Sequence, residues 1–383
     1  MFDGPIIDCD VHNSPVTPEE YLDYMPHEWR ERLMVNGQMR SLVPPLLSSA
    51  QLPDGMTRRA ETYPSNGGPP GSDYDLLCEQ LLDPFGVGAV VLDHDIGHEA
   101  GLPDGELALV CVRALNDWML ERWLTDPGDD RLFSIVLAPV QNPADAVAEI
   151  RRLGAHDRFV GAMVAFNALA KPLGHPVYHD VYAAMAELDL PLYMHINGGE
   201  FFGITANYAS GGGPPAYKLE QYQCEYQPTA NHLASMIVHG VFEKFPDFKI
   251  LLSETGLSWI GGFVARLDSC YDLMRRESSW VRRRPSEYLR ERLVITTQPI
   301  EALPGQGRAL LDDLSLIEGA EEMVGFASDY PHYDADDPTY AFSFFPESWH
   351  KKIASENARR VLRFPPSLQA SLDRPLAGQG DHR

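Results

Sequence analysis

The chain has 383 residues, 44% hydrophobic and 10% aromatic, a composition that supports a sizeable packed core. Its 55 acidic residues against 31 basic ones give a net charge of −24, which excludes a surface built for nucleic acid or an anionic membrane, since those partners demand clustered Lys and Arg. Five scattered cysteines without a C-x-x-C pair exclude a disulfide framework, and with neither a signal-like leader nor a membrane-length apolar run the expected setting is cytoplasmic.

The first stretch, Pro5 to His12, which apolar residues lead into, predicts a strand. Asp10 and His12 stand two positions apart at its end, so extended backbone projects both to one side. A carboxylate oxygen beside an imidazole nitrogen can hold a divalent metal. An isolated D-x-H is more often a turn cap next to a loop histidine, so the rest of the chain must decide. Asp8 lies on the same side but deeper, and reads as a supporting or merely buried polar residue. Residues 14–72 predict a long irregular insertion, with one amphipathic piece at Pro18–Met34 and a Pro/Gly/Ser-rich loop at Leu42–Gly71. Loops of that length serve as lids or as contacts between subunits.

From Tyr74 the pattern becomes regular. Strands are expected at Val87–Leu92, Leu132–Val140, Phe159–Phe166, Pro191–His195, Lys249–Glu254, Leu293–Thr297 and Met323–Ser328. Between and after them, helices are expected at Asp75–Leu82, Glu106–Leu124, Pro143–Leu153, Pro176–Leu188, Asn231–Phe245, Trp259–Arg284, Gly307–Leu316 and Pro346–Leu362. The basic cluster Arg275, Arg276, Arg282, Arg283 and Arg284 reads as a solvated helix face. A second long segment, 198–228, carries Gly211–Pro215 and several aromatics and reads as another lid or oligomer contact. Eight short, continuously apolar strands separated by helices predict an α/β fold, a (β/α)8 TIM barrel with long insertions at its C-terminal face. Residues 1–364 form one expected domain, followed by a frayed polar tail from 365 to 383.

Such barrels carry their chemistry at the C-terminal strand ends. Those ends bear Asp10 and His12, Asp93 and His94, His195, Glu254, Gln298, and Asp329 with His332. Singly, each reads as a cap or turn residue. Converging on one mouth, they read as a metal site, because polar groups ending apolar strands are costly unless something satisfies them. His175 and His179 read as caps or surface residues, and His239 as structural.

Asp-x-His on strand 1, Leu192–His195, Gly240-Val-Phe-Glu-Lys-Phe-Pro246, Ser253–Gly256 with Trp259, and Ser328-Asp-Tyr-Pro-His332 together resemble the amidohydrolase superfamily. More closely, the chain is similar to the branch that includes metal-dependent decarboxylases of carboxymuconate-semialdehyde and resorcylate type. The resemblance runs from Ile6 to about Leu362. It implies metal ligands at Asp10, His12, His195 and Asp329, with Asp329 also handling protons on a water or on the substrate. It places Glu254, a candidate ligand and catalytic group, where those decarboxylases carry a histidine. His332 is a candidate for orienting Asp329 or touching substrate. The implied cofactor is a divalent ion, zinc or manganese ahead of iron, in one or two copies.

The activity implied is hydrolysis of a C–N or C–O bond, or non-oxidative decarboxylation, of a small organic acid or amide. Two alternatives stay open: a dinuclear Fe or Mn/Fe oxygenase bridged by Glu254, and an inactive homologue within a hetero-oligomer. The expected partner is a small molecule, with homo-oligomers, dimeric or tetrameric, as the expected assembly.

Overall fold

The computed structural model describes residues 4–17, 19–35, 38–39, 58–94, 100–165, 169–196, 226–303 and 305–372. Eight strands run in sequence order around one sheet: β1 Ile6–Asn13, β2 Val87–His94, β3 Leu132–Ala138, β4 Phe159–Val164, β5 Leu192–His195, β6 Ile250–Ser253, β7 Leu293–Thr296 and β8 Val324–Gly325. Every neighbouring pair is parallel. The chain beyond β8 returns to β1. Cys9 N–H donates to Phe326 O at 3.0 Å, Asp329 N–H to Asp10 O at 3.0 Å and His12 N–H to Tyr330 O at 2.7 Å. The sheet thereby curls onto itself, and the expected (β/α)8 barrel is what forms.

The strands read as continuous apolar runs because both of their faces are covered, by the barrel interior and by the helices outside. Every residue of β1, β3, β4, β5, β6 and β7 is buried. Helix starts follow their caps. The Asp104 carboxylate accepts from the N–H groups of Glu106 and Leu107, opening Gly105–Trp118, and Asn142 opens Pro143–Leu153 with proline at its first position.

Several boundaries differ from the sequence expectation, each for a local reason. The amphipathic piece Pro18–Met34 divides into a turn, Glu20–Tyr24, and a helix, His27–Leu33, because Met25 before Pro26 is extended. The helix expected over Asn231–Phe245 starts by Tyr226 and stops at Val238. Gly240 then takes a left-handed φ of 74° and a separate turn, Val241–Lys244, follows. A side chain at Gly240 would meet Trp280 at 2.8 Å, so glycine is required there twice over. The helix expected over Trp259–Arg284 ends at Met274, and a new one, Pro285–Arg292, begins with proline at its first position. The arginine cluster thus lies between two helices instead of along one, with Arg284 paired to Asp272 at 2.8 Å. Regular pairing in β8 covers only Val324–Gly325 of the expected Met323–Ser328. Of the expected frayed tail, residues 365–372 are described, and they are ordered. Pro366–Leu372 is a helix with Leu368 and Leu372 buried against the core.

Candidate metal centre at the barrel mouth

The period-2 alternation of β1 sets Asp8, Asp10 and His12 on one side. Asp10 is fully buried. Its Oδ2 accepts from the Ser253 hydroxyl at 2.7 Å and lies 3.3 Å from His195 Nε2, while Oδ1 has no hydrogen-bond partner. His12 Nε2 is 3.6 Å from Asp10 Oδ1, 2.9 Å from Asp329 Oδ1 and 4.0 Å from Glu254 Oε2. His195, at the end of β5, has Nδ1 on the Ile196 carbonyl. A carbonyl only accepts, so Nδ1 carries the proton and Nε2 is the nitrogen left to bind. That nitrogen is 3.0 Å from Glu254 Oε2 and 3.9 Å from Asp93 Oδ2.

Asp329, also fully buried, is held from three directions. His332 Nδ1 is 2.5 Å from its Oδ1, His12 meets the same oxygen, and the Gln298 amide donates to Oδ2 at 2.9 Å. Glu254 and Asp329 both have left-handed backbones, φ 51° and 60°. Non-glycine residues hold that conformation at a cost of order 1 kcal/mol, and it gathers at functional sites.

The charges are organised by these contacts. Burial alone would raise Asp10, but the His195 and His12 imidazoles outweigh it and hold the carboxyl below its ordinary range. Asp329 behaves alike, with His332 and His12 overcoming burial and holding it well below. Burial would lower both imidazoles, yet the Asp10 carboxylate pulls His12 up and, with Glu254, pulls His195 well up. Asp8 is pushed up to about 7 by burial, against the hydrogen bonds its Oδ1 accepts from the N–H groups of Ser328 at 2.9 Å and Asp10 at 3.2 Å. It pins the β8 end to β1.

The donor set fits a divalent ion. Bonds of about 2.1 Å place adjacent ligand atoms about 3.0 Å apart in an octahedron and about 3.4 Å apart in a tetrahedron. The spacings of 3.0 and 3.3 Å fall in that range, and those of 2.9 and 3.6 Å lie just outside it. Asp10 Oδ1, both ring nitrogens of His12 and His195 Nε2 are buried with no hydrogen-bond partner. Such groups are costly without a partner, and a cation supplies one. Among the described residues two groups of four donors form, Asp10–His12–His195–Glu254 and His12–Glu254–Asp329–His332.

Asp10, His12, His195, Glu254, Asp329 and His332 all lie in this cluster. Asp93 stands at its edge, and the side chains of His94 and His98 lie outside the described residues. His175 accepts from the Val177 N–H as a cap, and His179 sits against Lys244 Nζ at 2.8 Å. Sequence reasoning missed Ser253, the lone hydroxyl in an apolar strand, and the pair Asp334 and Asp336, whose D-x-D spacing after His332 was the available signal. Burial pushes those two up to about 6 and about 7. Of the first insertion, residues 14–17, 19–35, 38–39 and 58–72 are described. Arg58 bridges His332, and the Arg59 guanidinium donates to Tyr333 O at 3.3 Å and to the Ala335 carbonyl. Most of 198–228 lies outside the described residues.

The family model described as amidohydrolase matches residues 7–364. The chain belongs to the amidohydrolase family. Membership makes it an enzyme of that superfamily, with a cluster suited to a divalent ion. Among curated amidohydrolase relatives, the gamma-resorcylate decarboxylase of Rhizobium sp. (strain MTP-10005) is 25% identical over 301 residues, spanning 74% of this chain and 85% of that one. Two solved structures show the same fold. An amidohydrolase from Mycobacterium avium subsp. paratuberculosis K-10 superposes with TM-score 0.70 at 21% identity, covering 94% of this chain and 99% of its own. A dihydroxybenzoic acid decarboxylase from Polaromonas sp. JS666, with bound manganese and the inhibitor 2-nitroresorcinol, gives 0.63 at 20% identity, covering 94% and 96%. None of the described helices is long and apolar enough to cross a membrane.

Proposed function

We propose that the chain is a metal-dependent, non-oxidative decarboxylase of a small aromatic carboxylic acid. The observation that carries this reading is the pair of overlapping donor groups, Asp10–His12–His195–Glu254 and His12–Glu254–Asp329–His332, each able to hold a cation, in a chain whose curated relatives include resorcylate decarboxylases. Those relatives favour decarboxylation over the hydrolytic and oxygenase alternatives. Asp10, His12, His195 and Asp329 would hold the ion, manganese being the species in the Polaromonas structure. When bound, the ion supplies positive charge that fixes an acid substrate's oxygens and stabilises charge developing on them.

The remaining work belongs to side chains. Breaking the bond between ring and carboxylate leaves its electron pair on the ring carbon, which must take one proton as carbon dioxide departs. Asp329, held ionised by its imidazole neighbours, is the group placed to relay that proton, taking it from a water and passing it to the ring carbon, steered by His332 and Gln298 on its two oxygens. Glu254, 3.0 Å from His195, carries a negative charge where an imidazole would carry a positive one, so it restrains His195 and does not neutralise substrate charge.

The test is a panel of hydroxybenzoic acids and their amides and esters, given to manganese-loaded protein with carbon dioxide and phenol both quantified. Equimolar carbon dioxide and phenol from an acid supports the assignment. Turnover of amides or esters alone contradicts it.

A further inference from the structure

We propose that Gln80, on a helix outside the metal cluster, is a positioning residue for Asp329. It holds the segment that carries Asp329 through Tyr330 and through a strap made of residues 58–62. The inference rests on the reading of Asp329 as a holder of the ion, and its test needs no turnover.

Three observations carry it. The first is how little regular structure holds Asp329. Pairing in β8 ends at Gly325, four residues earlier, and Asp329 itself has a left-handed φ of 60°. A non-glycine residue keeps that conformation only where its surroundings over-determine it. From β1 the segment is met by two backbone bonds, Asp329 N–H to Asp10 O and His12 N–H to Tyr330 O. The remaining restraint on residues 330–335 comes from outside the barrel.

The second observation is Gln80 itself. It lies in the turn Cys78–Leu82, where Asp83 N–H donates to Cys78 O at 3.0 Å, five residues back instead of four. Widened turns of this kind recur at functional sites. The Gln80 amide is engaged at both ends. Its Oε1 accepts from the Tyr330 hydroxyl at 2.8 Å, and its Nε2 donates to Glu61 O at 2.8 Å. Tyr330 is only 8% exposed, so its packed ring and tied hydroxyl fix the residue next to Asp329.

The third is the strap at the other end of the amide. Arg58 pairs with His332 in an antiparallel bridge, and Arg59 N–H donates to Pro331 O at 3.5 Å. The Arg59 guanidinium donates to Tyr333 O at 3.3 Å and to Ala335 O. A rigid fork of N–H groups suits gripping two carbonyls of one turn. The Thr62 hydroxyl donates to Arg59 O at 2.7 Å and closes the strap on itself. Tyr330, Pro331, His332, Tyr333 and Ala335 are thus each tied to Gln80 or to the strap that Gln80 holds. Among the described residues Gln80 bonds to no metal donor, so it acts through these contacts.

The experiment measures manganese affinity of the full-length protein by competition with a metal-sensitive dye, without substrate. Circular dichroism confirms that each variant folds. Gln80→Leu and Tyr330→Phe should each weaken binding about 10-fold, the scale of losing a group that orients a ligand. The double variant should bind no worse than Gln80→Leu alone, because both changes break the same bond. Gln80→Glu, which still accepts from the Tyr330 hydroxyl, should recover most of the affinity. If Gln80→Leu does not fold, Tyr330→Phe and Gln80→Glu carry the test. Unchanged affinity in the single variants overturns the proposal, as does an additive loss in the double variant or a Gln80→Glu variant as weak as Gln80→Leu. Wild-type protein that binds no manganese overturns the proposal together with its premise. A substrate panel that yields no carbon dioxide leaves this result standing, and variants that bind as wild type leave the decarboxylase assignment standing.

Discussion

Asp329 is the residue on which the proposed chemistry turns, and its environment makes its role separable from folding. Asp329→Asn keeps the shape and the Gln298 contact partner but removes the carboxylate. Turnover is expected to fall at least about 100-fold, the usual scale for losing a positioned acid–base group, with the thermal midpoint changed little. A steady-state assay beside a melting curve checks both halves. Gln298 acts one step back, donating to Asp329 Oδ2 at 2.9 Å from the end of β7. Gln298→Leu should weaken manganese binding by about 10- to 100-fold, the range seen when a partner that orients a ligand is removed, and competition with a metal-sensitive dye measures it. The donors themselves were legible in the sequence, because period-2 strands and the barrel rule say where strand ends point. Their partners were not. Ser253 reaches Asp10 across 243 residues and Gln298 reaches Asp329 across 31, contacts that only the closed barrel creates.

Elements are tied to the barrel by buried polar groups that local patterning does not reveal. Asn116, fully buried in Gly105–Trp118, donates to Leu137 O at 3.0 Å and to Glu149 Oε1 at 2.8 Å, and accepts from Leu137 N–H at 3.1 Å. It clips two helices to β3. Asn116→Ala strands the backbone of Leu137 and exposes Glu149 to an unmatched interior, and is expected to cost about 2–4 kcal/mol, read as a lowered thermal midpoint.

His232, in Tyr226–Val238, accepts from Leu173 N–H at 3.1 Å, and burial lowers its pKa from 6.5 to about 4. The unfolded chain therefore takes up a proton between about pH 6.5 and 4 that the folded chain refuses. Stability from this site is full above pH 6.5 and drains away as pH falls toward 4, by up to about 3 kcal/mol. His232→Gln, which still accepts from Leu173, should flatten the fall in melting temperature across that window. At this scale the strands read well from composition, while the helix ends at Val238 and Met274 did not, the first being set by the left-handed backbone of Gly240.

Over the whole molecule, the net charge of −24 opposes the approach of an anionic substrate, although the site itself takes a cation. Raising salt screens that repulsion, so KM for an aryl carboxylate is expected to drop several-fold between 10 and 200 mM salt while kcat stays constant, as initial rates would show. The fold class was readable because its signal is repeated eight times along the chain. Reaction type was not, since one barrel mouth hosts many chemistries. The measurement that bears most directly on it is turnover of an active hydroxybenzoic acid in heavy water. One deuterium on the ring carbon that carried the carboxylate, with carbon dioxide released in equal amount, is the predicted result. A product that keeps its carboxylate and has gained the elements of water elsewhere would contradict the account.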